Sequence, residues 1–190
     1  MMCKFDQARD FAKRFAECER GVASLEFAIV FPVFFTFFLM TYESGMVSLQ
    51  HVMLERGVDL AVRDVRIGVM STPTAERLKE RICEEAGIIP NCETQLQLEM
   101  TRRDPRAWVN LSNQVRCIDR SLSSQPVVEF TNGENNDVMV LRACVRIDPV
   151  LPTTGLGKSI VANNDNDAAG GSVALVAYSA FVIEPFKDEP

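Results

Sequence analysis

The stretch "ERGVASLEFAIVFPVFFTFFLMTYE", residues 19–43, decides the architecture of this chain because it is an almost uninterrupted apolar run. Between Leu25 and Tyr42 the only formal charge is Glu26. The run approaches the roughly 20 residues with which a helix crosses a bilayer. Its Leu, Ile, Val and Phe side chains favour insertion by more than the cost of about 3 kcal/mol for one acid. The sequence therefore predicts a membrane-spanning helix over residues 22–42.

The charges on either side of this run predict its orientation. The leader, residues 1–21, carries a cluster of cations, and the next cation is Arg56. Because positive flanks stay in the cytoplasm, residues 43–190 are expected to form an outer domain on the far side of the membrane. A secretory signal peptide fits less well, since the apolar run exceeds the usual length of about 7–15 residues and its exit, "TYESG", lacks an A-x-A-like cleavage site.

The outer domain begins with helical patterns. Leu54, Val58, Ala61 and Val65 recur at helical spacing, which predicts that the first helix continues to about Met70. The segment "STPTAERLKERICEEAG" then predicts a second helix, with Ser71 or Thr72 as its N-cap and a stop at Gly87.

Strand patterns follow the helices. The segments "TQLQLEM", "PVVEF", "VMVLRACVRI" and "SVALVAYSAFVIEP" read as strands, and the second and third should form a hairpin around "TNGENND". Residues Asp104–Gln125 read as a loop in which Trp108 and Val109 pack inward. Helices first and strands afterwards, without βαβ alternation, indicate an α+β fold with an antiparallel sheet.

The cysteines agree with the predicted orientation. Cys3 and Cys18 fall in the leader, whereas the four cysteines of the outer domain form an even set on the oxidising side. Three pairings are open to that set. We favour Cys83 with Cys92 and Cys117 with Cys144. A zinc site is the rival, but the first pair is widely spaced and no accessory His lies nearby.

Other chemistry finds little support in the sequence. A net charge of −6 disfavours a nucleic-acid binder. "TTGLGKS" lacks the first Gly of a phosphate-binding loop, and "NNDNDAAGG", with Asp165 and Asp167, lacks the closing Glu of an EF-hand, so a surface loop is favoured over a calcium site. The single histidine, His51, is expected near headgroups or solvent. We therefore predict no enzyme, cofactor or metal.

The start of the apolar run resembles a type IV prepilin processing site. In that family a prepilin peptidase cuts after a Gly and leaves Glu at the fifth mature position. Here Gly21 precedes the cut, Val22 becomes the first residue, and Glu26 is fifth. Phe27 stands where the Flp pilins usually have Tyr, a departure that keeps the ring and loses a hydroxyl.

The order G-x-x-x-x-E-F-A-x-x-x-P, followed by "YESG" and "RGVDLAVRDVRIG" and closed by "EPF", is similar to the TadE-like family, minor pilins of the tight-adherence (Flp) pilus. The resemblance implies a pilin-like plan and a place in a bacterial inner membrane. It also implies four partners, namely the major Flp-type pilin, a sibling minor pilin, the inner-membrane platform and prepilin peptidase. A type II secretion pseudopilin and an uncleaved signal-anchored interaction domain stay open as alternatives.

The resemblance also implies a role for Glu26. The acid would dock on the N-terminal amine of a neighbouring subunit, since a charge at membrane depth is cheapest beside an opposite charge. The alternative is an acid that snorkels to water. Pro32 is expected to kink the spanning helix. Phe27, Phe31, Phe34 and Phe38 fall on one helical face, a pattern that chance also produces in so apolar a segment.

Overall fold

A computed structural model describes residues 22–70, 72–107, 109–110, 115–120, 122–151 and 171–185. Within these residues three helices precede three strands. The helices are α1 (Val22–Arg66), α2 (Ala75–Glu85) and the single turn α3 (Cys92–Gln95). The strands are β1 (Leu96–Arg103), β2 (Val138–Ile147) and β3 (Val173–Val182). The predicted α+β class is confirmed.

The chain divides into two compact units, with the boundary inside α1 between Thr41 and Tyr42. In the first unit the described residues are all helical, and the large apolar side chains between Leu25 and Phe38 are exposed. Within the described residues α1 is the one helix long and apolar enough to cross a membrane. The predicted candidate for a single membrane span is therefore present.

In the second unit α1 buries one face in the core. Leu54, Val58, Ala61 and Val65 are each at most 4 % exposed, so the predicted inward stripe is confirmed. Gly57 lies beside this stripe, and a Cβ built on it would stand 2.7 Å from the backbone oxygen of Ile82 in α2. A glycine is thus required where the two helices approach each other.

The second helix starts later than the sequence suggested. The N-cap is Thr74, whose Oγ1 accepts a hydrogen bond from the backbone N–H of Arg77 (3.3 Å), so the predicted cap at Ser71 or Thr72 is wrong. Pro73 lies just before the cap. The shift has a local cause, since Thr74 can cap the apolar-periodic stretch that begins at Ala75.

The sheet has the order β1-β2-β3, and both pairs of strands are antiparallel. One face of the sheet joins the helices in the core, through alternate residues such as Leu98, Leu141 and Leu175. The central strand β2 is also covered on its other face, where Cys144 and Arg146 are buried. The antiparallel pairing of the three strands confirms the predicted antiparallel sheet.

The predicted hairpin around "TNGENND" does not form. β2 pairs with β1 and β3, while the "PVVEF" segment reaches the sheet only through a parallel bridge between Phe130 and Met100 on β1. The long-range pairing displaces the local one because β1 offers β2 a longer ladder. Val109 is 65 % exposed, so its predicted inward packing is wrong, and Trp108 lies outside the described residues.

Two disulfides tie the second unit together. Cys83 is bonded to Cys92, with Cα atoms 5.6 Å apart, and Cys117 is bonded to Cys144, with Cα atoms 5.2 Å apart. These are the two pairs that the sequence favoured. The first joins α2 to α3, and the second fastens the loop after β1 to the centre of the sheet.

Candidate functional site

The N-terminal part of α1 carries most of the site residues predicted from the sequence. Val22 is the first described residue of the helix, and Gly21 lies outside the described residues. Glu26, Phe27 and Pro32 are all exposed on this helix. Within its own unit the acid therefore has no cover from the protein and is open to a partner.

An aromatic ladder runs along the same part of α1. Ring centroids are 4.9 Å apart between Phe27 and Phe31, 5.5 Å between Phe31 and Phe35, and 6.3 Å between Phe35 and Phe38. The expected face placed Phe34 third, but the ring that stacks on Phe31 is Phe35, and both steps of four and steps of three bring side chains together on a helix. The ladder gives this helix one face that differs from the rest of its apolar surface.

Pro32 lies inside α1, and the helix continues through it. A proline has no N–H, so the carbonyl of Ala28 loses its usual donor. One turn later the Oγ1 of Thr36 donates to the carbonyl of Pro32 (2.7 Å). Hydroxyl groups bonded in this way often accompany bends in helices. The predicted kink at Pro32 stays a prediction.

A second acid, Glu43, has a clear structural role that the sequence analysis missed. Its side chain is fully buried, and its two carboxylate oxygens accept hydrogen bonds from the backbone N–H of Val150 (2.9 Å) and of Leu151 (2.8 Å). We call this pair of bonds the Glu43 clasp. It fastens the segment that follows β2 to the start of the second unit's portion of α1.

A signal for this buried acid was present in the sequence. Counting back from Leu54 in helical steps gives Gln50, Val47 and Glu43, so the acid continues the inward stripe of α1. Gln50 is also buried, and Val47 packs partly against the core. The partners could not have been found in this way, because every residue except proline has a backbone N–H.

His51, expected near headgroups or solvent, has a side chain that is 42 % exposed and also contacts the sheet. Its Nε2 is 3.1 Å from the carbonyl oxygen of Val176 on β3, and 3.6 Å from a carboxylate oxygen of Glu55. Histidine, the residue most often used as a general base, is here half-buried against a strand. This placement makes it a structural contact of the second unit.

Two arginines of the second unit have shifted pKa values. A side-chain hydrogen bond that Arg81 donates to Asp64, reinforced by one that it donates to Glu85, raises the pKa of Arg81 above its ordinary value. Burial lowers the pKa of Arg146, and the charge of nearby Arg120 lowers it further. Arginine stays protonated in proteins, so both groups act as fixed charges. Arg81 joins α2 to Asp64 of α1 through a 2.8 Å ion pair.

Metal ligation has no candidate within the described ranges, where no group of three or more His, Cys, Asp or Glu residues converges. The Asn/Asp segment 163–167 and the "TTGLGKS" segment both lie outside those ranges. The predictions of no enzyme, cofactor or metal therefore stay predictions.

Comparison with protein families finds a match near the N-terminus. Residues 21–63 match the family model described as TadE-like protein. The matched segment contains Gly21, Glu26, Pro32 and Glu43, and it ends within α1. Neither a curated protein nor a solved structure matches the chain. The suspected resemblance is thus confirmed: residues 21–63 are TadE-like, which indicates a part in the assembly of a Tad pilus.

Proposed function

We propose that this chain is a minor pilin or pseudopilin of a tight-adherence (Flp, type IVc) pilus. In this proposal prepilin peptidase removes residues 1–21, residues 22–42 span the bacterial inner membrane, and residues 43–190 form a periplasmic domain. The mature subunit contributes to assembly and performs no catalysis. Its partners are the major Flp-type pilin, a sibling minor pilin and the inner-membrane platform.

The observation that carries the proposal is the position of the TadE-like match. The matched segment begins at Gly21, and Val22, the residue that would become the new N-terminus, lies in the apolar helix α1. An apolar helix with exposed side chains over its first turns then follows. Such a surface is stable in lipid or against the helices of other subunits, and it is costly in water.

Cleavage at this position would change the electrostatics of Glu26. A free ammonium would appear on Val22, one helical turn before the acid, and side chains on a helix lean towards its N-terminus. The N-terminus of a helix also carries a partial positive charge, which favours a nearby carboxylate. The exposed carboxylate of Glu26 can then leave the ammonium of its own chain and bind the N-terminal ammonium of a neighbouring subunit. This contact sets the register between the two chains.

The N-terminal mass of the mature protein tests this proposal. We expect the chain from cells that contain prepilin peptidase to begin at Val22, and the chain from cells without it to keep the leader. Replacing Gly21 with a bulky residue should block the cut, whereas Gly45→Ala, which has free space around it, should leave it unchanged. An intact leader in cells that contain the peptidase would refute the proposal.

A second test addresses Glu26 directly. We expect Glu26→Ala to insert in the membrane normally and to lose most co-purification with pilin partners, because the docking charge is gone. Glu55→Ala is the matched control, since it removes an exposed acid on the same helix. Unchanged pilus assembly by the Glu26 variant would show that docking does not depend on this carboxylate.

A further inference from the structure

β3 is an edge strand with a defined set of outward-facing backbone groups. Among the described residues it pairs only with β2, and the N–H of Ile183 donates to the carbonyl of Asp137 (3.1 Å). Because backbone groups alternate along a strand, odd-numbered residues of β3 face β2 and even-numbered residues face outward. The contact of His51 with the carbonyl of Val176 agrees with this assignment.

Part of this outer edge has no partner in the described part of the chain. Helix α1 occupies two positions, since His51 binds the carbonyl of Val176 and the carbonyl of Arg66 accepts the N–H of Glu184 (3.4 Å). Between these two positions no described group forms a hydrogen bond with the outward N–H and C=O groups of Tyr178, Ala180 and Val182. We call these three residues the open window. Proteins protect such edges with charges or prolines. Residues 173–183 contain neither.

The opposite side of the sheet carries an incomplete strand, the "PVVEF" segment. The N–H of Met100 donates to the carbonyl of Glu129 (3.0 Å), and the N–H of Thr131 donates to the carbonyl of Met100 (2.9 Å). The backbone groups of Val128 and Phe130 therefore point away from β1. Val127 is 92 % exposed. A segment with strand-forming sequence thus presents an outer edge to which no described backbone group is hydrogen-bonded.

The two edges match in direction. The segment is parallel to β1, and β1 and β3 are both antiparallel to β2, so the segment and β3 run the same way. We propose that the open window of β3 in one copy binds the Val127–Phe130 segment of a second copy as an added parallel strand. Strand addition at an exposed edge is a common mode of recognition.

Orientation favours this contact over pairing of two identical β3 edges. Two β3 strands related by a two-fold axis would pair antiparallel. Within one copy α1 and β3 run in the same direction, since His51 contacts Val176 and Arg66 contacts Glu184. Two-fold pairing would therefore reverse α1 in the second copy. The parallel contact keeps both helices in one direction, as two chains inserted in the same membrane require. It is heterologous, so it can repeat from copy to copy.

Cysteine cross-linking of full-length chains in membranes tests the contact. One tagged chain carries Ala180→Cys and the other Val127→Cys, both in a background of Cys3→Ser and Cys18→Ser. The chains are co-expressed and treated with a short bismaleimide. We expect a mixed adduct. Val52→Cys, at a residue on α1 that is 57 % exposed, replaces Val127→Cys in the control and should give none.

A third variant checks the role of the backbone. Tyr178→Pro removes an outward N–H of β3 and leaves the donors that pair with β2 in place. A chain with both Tyr178→Pro and Ala180→Cys should therefore give no mixed adduct. Formation of the Cys117–Cys144 disulfide in that chain shows that the domain still folds. An adduct from Ala180→Cys alone would indicate two-fold pairing, and absence of the mixed adduct would exclude the contact. Either result overturns the inference. The proposed strand contact goes beyond the proposed function and does not require cleavage of the leader. An intact leader would therefore refute the proposed function while the cross-linking test could still succeed.

Discussion

The Glu43 clasp makes Glu43→Gln the most informative single substitution in the outer domain. The amide keeps the size of the side chain and one oxygen acceptor. Its NH2 group, however, is a donor and would face one of the two backbone N–H groups of Val150 and Leu151. The change therefore removes a charge, exchanges one hydrogen bond for a donor–donor contact, and leaves the packing volume nearly unchanged.

The expected loss of stability follows from the two bonds. Hydrogen bonds to a charged group contribute roughly 1.5–3 kcal/mol each, and the one neutral bond that the amide retains contributes about 1 kcal/mol. Val150 is 45 % exposed, so water can reach that side of the clasp and lowers the penalty. We expect a decrease of about 2–3 kcal/mol in the free energy of unfolding. For a domain of this size that corresponds to a fall of roughly 4–12 °C in Tm.

Thermal unfolding of the purified full-length protein in detergent, followed by circular dichroism, measures this loss. Glu55→Gln is the matched control, because Glu55 is a half-exposed acid on α1 whose ion pair with His51 is 3.6 Å long. Exposed pairs of this kind contribute less than about 1 kcal/mol. If the two variants melt at the same temperature, the clasp does not stabilise the domain and the reasoning fails.

Three further predictions concern the packing of the outer domain. Gly57→Ala should lower the free energy of unfolding by about 1–3 kcal/mol in chemical denaturation, because its Cβ would meet the Ile82 backbone, while Gly45→Ala, with nothing within 4 Å, should raise it by up to about 1 kcal/mol. Thr74→Ala should cost about 1 kcal/mol by the same assay through loss of the α2 cap. Replacing Cys117 and Cys144 by Ser should lower the free energy of unfolding by about 1 kcal/mol more than replacing Cys83 and Cys92, because the Cys117–Cys144 bond closes the longer loop.

The sequence predicted the elements that depend on local periodicity. The uniform apolar run, the inward stripe of α1 and the alternation in β1 are each visible within one window of residues, so helix and strand could be assigned there. The strand order could not be assigned with the same certainty. The "TNGENND" turn favours a local hairpin, but β2 pairs with β1 and β3 because both offer long ladders, and only the tertiary fold reveals that competition.

The candidate site was predicted to different extents in its parts. Gly21 and Glu26 follow from a compact sequence pattern, and their roles in processing and docking stay predictions. The order of rings in the aromatic ladder depends on the twist of the helix, so Phe35 replaces Phe34 in the stack. The partners of Glu43 are backbone groups more than a hundred residues away, and no sequence signal marks such groups.

Two acids therefore bracket the apolar run, and their surroundings imply opposite phenotypes. Glu26 is exposed within its unit, so the stability of the monomer should not depend on it, and its charge is available to a partner. Glu43 is fully buried and already satisfied by two backbone donors, so it contributes to the stability of its own domain. Substitution at residue 26 should alter association without altering Tm, and substitution at residue 43 should lower Tm in the isolated chain. If both substitutions changed only Tm, or both changed only association with partners, burial would not distinguish the roles of the two acids.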